Sequence, residues 1–259
     1  MVEPFDGRRP AHEPRKRRGV FLLPSLFTVG NMFCGYACIV YAMRGDLVTA
    51  APFIGFAIVL DMLDGRLARL TNTASAFGVE FDSLADVISF GVAPAVLAYA
   101  WGLSELGRLG WAAGFVYVST AAMRLARFNT QSATAQLDKR YFIGMPTPAA
   151  AGVVASTIFA WPYPVSGYPQ GGAAAVAVLV PAALMVSTFR FRSFKTINFG
   201  WGPSYLPLIG FALLIAFITT EPRLTLPVLA YGYLLSAFVE FVVTRFRGRR
   251  EGVPPATSA

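Results

Sequence analysis

Apolar runs of about twenty residues recur along the chain, separated by short polar breaks; the breaks and the two tails together carry most of its charge. Each run is long enough to cross a hydrocarbon core ~30 Å thick as an α-helix. The pattern predicts eight spans, at about 20–43, 48–70, 82–103, 109–129, 148–164, 173–189, 203–220 and 224–244. The expected fold is all-α, a polytopic membrane helix bundle rather than a soluble domain with one core. The Gly144, Pro146 and Pro148 positions predict a broken or re-entrant start to the fifth helix, and the Pro/Gly-rich stretch 162–172 reads as a turn. Gly110 and Gly114 form a small-xxx-small pair suited to close helix packing.

Composition agrees with the pattern: 55% of the 259 residues are hydrophobic and 14% are charged. The net charge of +8 is unevenly placed. Basic clusters lie in the N-terminal tail, in the connections after the second, fourth and sixth spans, and in the C-terminal tail. Both termini on the cytoplasmic side satisfy this alternation. The basic residues flank apolar spans, so they point to anionic lipid headgroups and not to nucleic acid. The expected organisation is a basic, disordered tail at 1–19, a membrane domain at 20–244 and a second basic, disordered tail at 245–259. No small-residue cleavage site follows the basic N-terminus, so a cleavable signal peptide is not expected. His12, the single histidine, sits in the first tail and receives no catalytic role. Cys34 and Cys38 are too few for a structural zinc site and one helical turn apart, poor geometry for a disulfide. They read as buried, inert thiols.

The chemistry lies between the second and third spans. The stretch from Asp61 to Asp86 reads DMLDGRLARLTNTASAFGVEFDSLAD. Asp61 and Asp64 are three apart and Asp82 and Asp86 four apart, so on helices each pair lies on one face. Acids beside apolar helices are costly unless paired or bound to a cation. Two such faces turned together make an oxygen-rich cage for a hard divalent ion. Aspartates without clustered histidine or thiol favour magnesium or manganese over zinc or iron. Membrane carboxylates also occur in ion transporters, so the pairs alone leave enzyme and carrier both open. Thr28 and Asn31 share a face of the first span and are candidates to line the same cavity.

The spacing Asp61-x2-Asp64-Gly65-x2-Ala68-Arg69-x8-Gly78-x3-Asp82-x3-Asp86 resembles, position for position, the signature of the CDP-alcohol phosphatidyltransferase family. The resemblance implies an integral membrane enzyme that moves a phosphatidyl group from a CDP-lipid to an alcohol. It implies two divalent ions, Mg2+ or Mn2+, held by Asp61, Asp64, Asp82 and Asp86, with Asp86 also the general base. It further implies contacts to the CDP-lipid from Thr28, Asn31, Gly65, Ala68, Arg69, Ser75 and Gly78. Glycine's missing side chain would admit the nucleotide, and Arg69 would grip phosphate through a planar guanidinium. Ser25 stands where the family often has asparagine. The fixed offsets of glycine, alanine and arginine have no place in a cation transporter, which becomes the distant alternative.

Two further stretches resemble the phosphatidylserine synthase branch of the family: Arg124-Leu-Ala-Arg127-Phe-Asn129, and Phe142-x-Gly144-Met-Pro146-x-Pro148-Ala-Ala-Ala151. That likeness implies CDP-diacylglycerol as donor and L-serine as acceptor, with glycerol 3-phosphate or inositol phosphate as alternative acceptors. Serine carries a carboxylate and needs a cationic partner; Arg127 is the first candidate, Arg124 the second and Asn129 a polar contact. The family likeness also implies a homodimer. The charge alternation makes the signature connection cytoplasmic, so the site is expected to face the cytoplasm, in a bacterial inner membrane.

Overall fold

The computed structural model describes residues 22–70, 75–133, 141–165, 167–187, 190–192 and 205–248. The N-terminal tail with His12, and the C-terminal tail beyond Gly248, lie outside the described residues. In chain order the elements are α1 (Leu22–Met43), α2 (Leu47–Leu70), α3 (Ala76–Asp86), a π-helical turn (Val87–Val92) and α4 (Ala93–Trp101). A short 3-10 turn (Leu103–Leu106) leads to α5 (Arg108–Ala133), β1 (Tyr141–Ile143), α6 (Thr147–Ala160), α7 (Tyr168–Val186), β2 (Arg190–Arg192), α8 (Leu206–Thr220) and α9 (Pro222–Gly248).

Helix dominates, as the hydropathy pattern predicts. Among the described residues, four helical stretches are long and apolar enough to cross a membrane: Ser25–Met43, Leu47–Leu67, Ala76–Trp101 and Tyr168–Val186. Thr147–Ala160 and Leu208–Thr220 are shorter apolar helices. Large apolar side chains such as Leu26, Phe33, Phe56, Trp111 and Phe217 point outward, the surface expected of a bundle solvated by lipid. The core lies where α1, α2, α4, α5, α6 and α7 meet, filled by Cys38, Leu47, Ile54, Phe90, Leu97, Tyr117, Val153 and Met185. Both cysteines are free and buried. α8 packs on α9, and α9 packs on α6.

Local chemistry explains the boundaries. Gly45, at φ 77°, turns the chain out of α1. Asp46 then caps α2, its carboxylate accepting from the Thr49 N–H at 3.1 Å; the Thr49 hydroxyl first, and its N–H second, hold the Asp46 carboxyl below its usual range. The third span starts earlier than expected. It begins at Ala76 rather than near residue 82, because Ser75 Oγ accepts from the Gly78 N–H at 3.0 Å and caps the helix. Asp82 and Asp86 therefore lie well inside the helix rather than at its start. α7 begins at Tyr168, inside the stretch expected to be a turn, since Pro169 suits the first turn of a helix.

A short antiparallel pair departs from the all-α expectation. β1 pairs with β2 through Tyr141–Arg192, Phe142–Phe191 and Ile143–Arg190. Gly144 follows at φ 82°, and the Met145 N–H donates to the Leu184 carbonyl at 2.9 Å. The broken start expected for the fifth helix is thus a strand, a left-handed glycine and a helix opening at Thr147 between two prolines. The pair ties the start of α6 to the end of α7.

The π-helical turn lies just past Asp86. Pro94 has no N–H for the preceding turn and its ring crowds the carbonyl four residues back. The wider turn, in which the Ala93 N–H reaches the Ile88 carbonyl, relieves that conflict. Each inserted residue rotates the helix face by roughly 100°. The Asp82–Asp86 face is thereby set independently of the face that α4 buries in the core.

Candidate active site

α2 and α3 bring the acids together. Asp61, Asp64 and Asp82 each place one carboxylate oxygen so that all three lie within 4.8 Å of one another. Asp64 is 3% exposed and Asp86 8%, while Asp61 and Asp82 are half-buried. Asp86 stands one helical turn beyond Asp82 on the same face.

α1 supplies the donors. Thr28 Oγ1 donates to Asp64 Oδ2 at 3.1 Å, and Asn31 Nδ2 donates to Asp86 Oδ1 at 3.1 Å. Asn31 is fully buried. Its backbone carbonyl accepts from Ser89 Oγ at 2.9 Å. Of the residues expected to contact the CDP-lipid, Thr28 and Asn31 thus bond to the acids themselves.

α5 and α6 form the facing wall. Arg124 is half-buried and interacts electrostatically with Asp86, Asp61 and Tyr233. Its Nη1 donates to the buried Thr147 Oγ1 at 2.8 Å, and its guanidinium lies 5.6 Å from the Phe128 ring centroid. Arg127, three residues on, is exposed. Asn129 donates to Ser83 Oγ at 2.8 Å, joining α5 to α3 beside the acids. Gly65 lies in α2 after Asp64, and Gly78 in the first turn of α3, its N–H taken by Ser75. Ala68 and Arg69 fall on the last turn of α2; their side chains lie outside the described residues.

Three participants escaped the sequence reading. Ser89 is three residues past Asp86, and that offset was a usable signal. Thr147 sits between the prolines of the Gly144–Pro148 stretch, where a polar residue at a helix start was visible but its partner was not. Tyr233, in the last helix, has no local signal.

The donor set fits a divalent cation. Asp61, Asp64 and Asp82 converge among apolar helices, with Asp86 one turn further on, and like charges so close are unfavourable without a counter-charge. Asp82 Oδ1 is buried with no hydrogen-bond partner among the described residues. Buried acceptors are rarely left so, and hard oxygen donors suit Mg2+ or Mn2+.

Fold and site together define a class: a helical membrane protein that holds an aspartate cluster, braced by hydroxyl and amide donors, beside a half-buried arginine. Its particular family follows from comparison with known proteins. The chain belongs to the CDP-alcohol phosphatidyltransferase family, which it matches over residues 21–189. It is 38% identical over 225 residues to the CDP-diacylglycerol–serine O-phosphatidyltransferase of Helicobacter pylori, covering 86% of this chain and 92% of that protein. Over 173 residues it is 34% identical to the Bacillus subtilis protein of the same name, covering 67% of this chain and 91% of that one. It is also 31% identical over 179 residues to the archaetidylserine synthase of Methanothermobacter thermautotrophicus, covering 68% of this chain and 72% of that protein.

Proposed function

We propose that this chain transfers the phosphatidyl group of CDP-diacylglycerol to the hydroxyl of L-serine, giving phosphatidylserine and CMP. The observation that carries the reading is the convergence of Asp61, Asp64 and Asp82 within 4.8 Å, with Asp86 anchored by Asn31 and Arg124 facing it. The names of its relatives support serine as the acceptor.

Asp61, Asp64, Asp82 and Asp86 would hold two ions, Mg2+ or Mn2+. Bound there, the ions would neutralise diphosphate charge and stabilise the leaving oxygen. The chain's own residues do the rest. Thr28 and Asn31 fix the orientation of Asp64 and Asp86 as the CDP-lipid settles beside α1. Gly65, Ala68 and Gly78 present little bulk to the nucleotide, Ser75 lies at the mouth of α3, and Arg69 holds phosphate. Arg124 receives the serine carboxylate in the paired geometry a guanidinium offers. Because the charge of Arg124 acts on Asp86, a serine held there would bring its hydroxyl toward that carboxylate; the exposed Arg127 and the tethered Asn129 would support the same wall.

Asp86 takes the hydroxyl proton as the serine oxygen attacks the β-phosphorus. The new P–O bond to serine forms as the bond to the CMP oxygen breaks, and the electron pair leaves on CMP. Holding donor and acceptor together supplies much of the rate.

The reading extends to setting. Eight spans with both termini in the cytoplasm would open the site to the cytoplasm in a bacterial inner membrane, where soluble serine meets the lipid donor. A homodimer is the expected assembly. The test is CMP release by purified protein with magnesium or manganese and a panel of alcohols. Release with serine is expected. Release with glycerol 3-phosphate or inositol phosphate and none with serine would overturn the acceptor assignment.

A further inference from the structure

We infer that Ser89, seated against Gly35, is a positioning residue that holds Asp86 in its reactive orientation by way of Asn31. The inference rests on the phosphatidyl-transfer reading above and adds to it a closed ring of contacts. Ser89 Oγ donates to the Asn31 backbone carbonyl at 2.9 Å. The Asn31 side-chain amide donates to Asp86 Oδ1 at 3.1 Å. Asp86 and Ser89 are three residues apart, so backbone closes the ring.

Two observations show that the ring is built rather than incidental. Asn31 Oδ1 is buried and has no partner among the described residues. An amide rarely rests with its acceptor end orphaned, since such a group is unfavourable by about 1–3 kcal/mol. The bond to Asp86 sets the direction of the side-chain amide, and the bond from Ser89 holds the Asn31 backbone from which that side chain springs. The second observation is the helix crossing itself. A Cβ on Gly35 would lie 2.6 Å from Ser89 Oγ and 2.7 Å from Ser89 Cα. α1 and the π-helical turn therefore meet backbone to backbone one turn beyond Asn31, a separation only glycine permits. The π-helical turn begins at Val87, and it carries Ser89 to that crossing. All four groups are buried: Gly35, Ser89, Asn31 and Asp86.

Fixing one carboxylate oxygen leaves Oδ2 of Asp86, which accepts nothing among the described contacts, to meet the acceptor hydroxyl. Ser89 touches no reacting atom. Its effect on the reaction should pass entirely through the Asn31 side chain.

The test is a double-mutant cycle with Ser89→Ala and Asn31→Ala, reading kcat and KM from CMP release. The thermal midpoint in detergent and the thiol reactivity of buried Cys34 and Cys38 are read alongside. Ser89→Ala should lower kcat by on the order of ten-fold, since a misplacement of ~1 Å costs up to about 100-fold, while the KM for CDP-diacylglycerol stays within about two-fold. In the Asn31→Ala background the same change should lower kcat no further. Ser89→Thr keeps the hydroxyl but crowds Gly35. It should be less stable than Ser89→Ala and yet more active per folded molecule.

Wild-type kcat in folded Ser89→Ala, or losses that multiply in the double variant, would overturn the inference. So would activities that simply follow the thermal midpoints across the four variants. The cycle is run with whichever alcohol releases CMP in the panel. Failure of the serine assignment thus shows in the wild type, and failure of the ring shows only in the cycle.

Discussion

Removing Arg124 is the perturbation that separates acceptor recognition from donor binding. Its Nη1 is 2.8 Å from the fully buried Thr147 hydroxyl, its plane lies beside Phe128, and its charge faces Asp86 and Asp61. Arg124→Ala removes the cation that would receive a carboxylate at this wall. A hydrogen bond to a charged group contributes about 1.5–3 kcal/mol. With ten-fold per 1.4 kcal/mol, the serine KM should rise by roughly 10- to 100-fold. The KM for CDP-diacylglycerol should stay within about three-fold. Arg124→Lys keeps the charge but loses the planar fork, and should recover only part of the loss. Arg127→Ala, at an exposed position, should move the serine KM by less than about three-fold. Initial-rate CMP release with each substrate varied in turn is the assay. A raised CDP-diacylglycerol KM with an unchanged serine KM would refute the reasoning, as would a larger effect at Arg127 than at Arg124.

Two other outcomes follow from the same geometry. Asp86→Asn should lower kcat by about 100- to 10,000-fold, the usual contribution of a general base; an unfolded or non-inserting protein would show instead as a lost thermal transition. Gly144→Ala should destabilise by about 2–5 kcal/mol, since the residue sits at φ 82° and a Cβ would run into the Met185 carbonyl oxygen. Because Gly144 sets the start of α6, thermal denaturation and the serine KM should both respond, through Thr147 and Arg124.

How much of this was legible in the sequence depends on the range of the physics. The apolar runs and the spacing of Asp61, Asp64, Asp82 and Asp86 are local facts, and they located the helices and the acids. Ser75 is expected from the resemblance as a nucleotide contact, and its hydroxyl also caps α3. The Ser-x-x-Gly spacing alone does not distinguish those roles, and the cap moved the helix start upstream. The pairing of Tyr141–Ile143 with Arg190–Arg192 joins segments about fifty residues apart, and no local period reports it. Arg124 and Arg127 are one turn apart on one helix and look equivalent in sequence. Only the tertiary fold, which sets Arg124 against Thr147 of α6, buries one and exposes the other. Asn31 was visible as a polar residue in an apolar span, but its bond to Asp86 depends on the Gly35–Ser89 crossing.

By the function proposed above, the aspartates of α2 and α3 clasp divalent metal beside the CDP-lipid. Crystals grown with manganese and a CDP-lipid, measured at the manganese absorption edge, test it directly. Anomalous peaks are expected among Asp61, Asp64, Asp82 and Asp86, and should be lost in Asp64→Asn. Full CMP release with serine from protein stripped of divalent ions, or peaks bound only away from these four carboxylates, would contradict it.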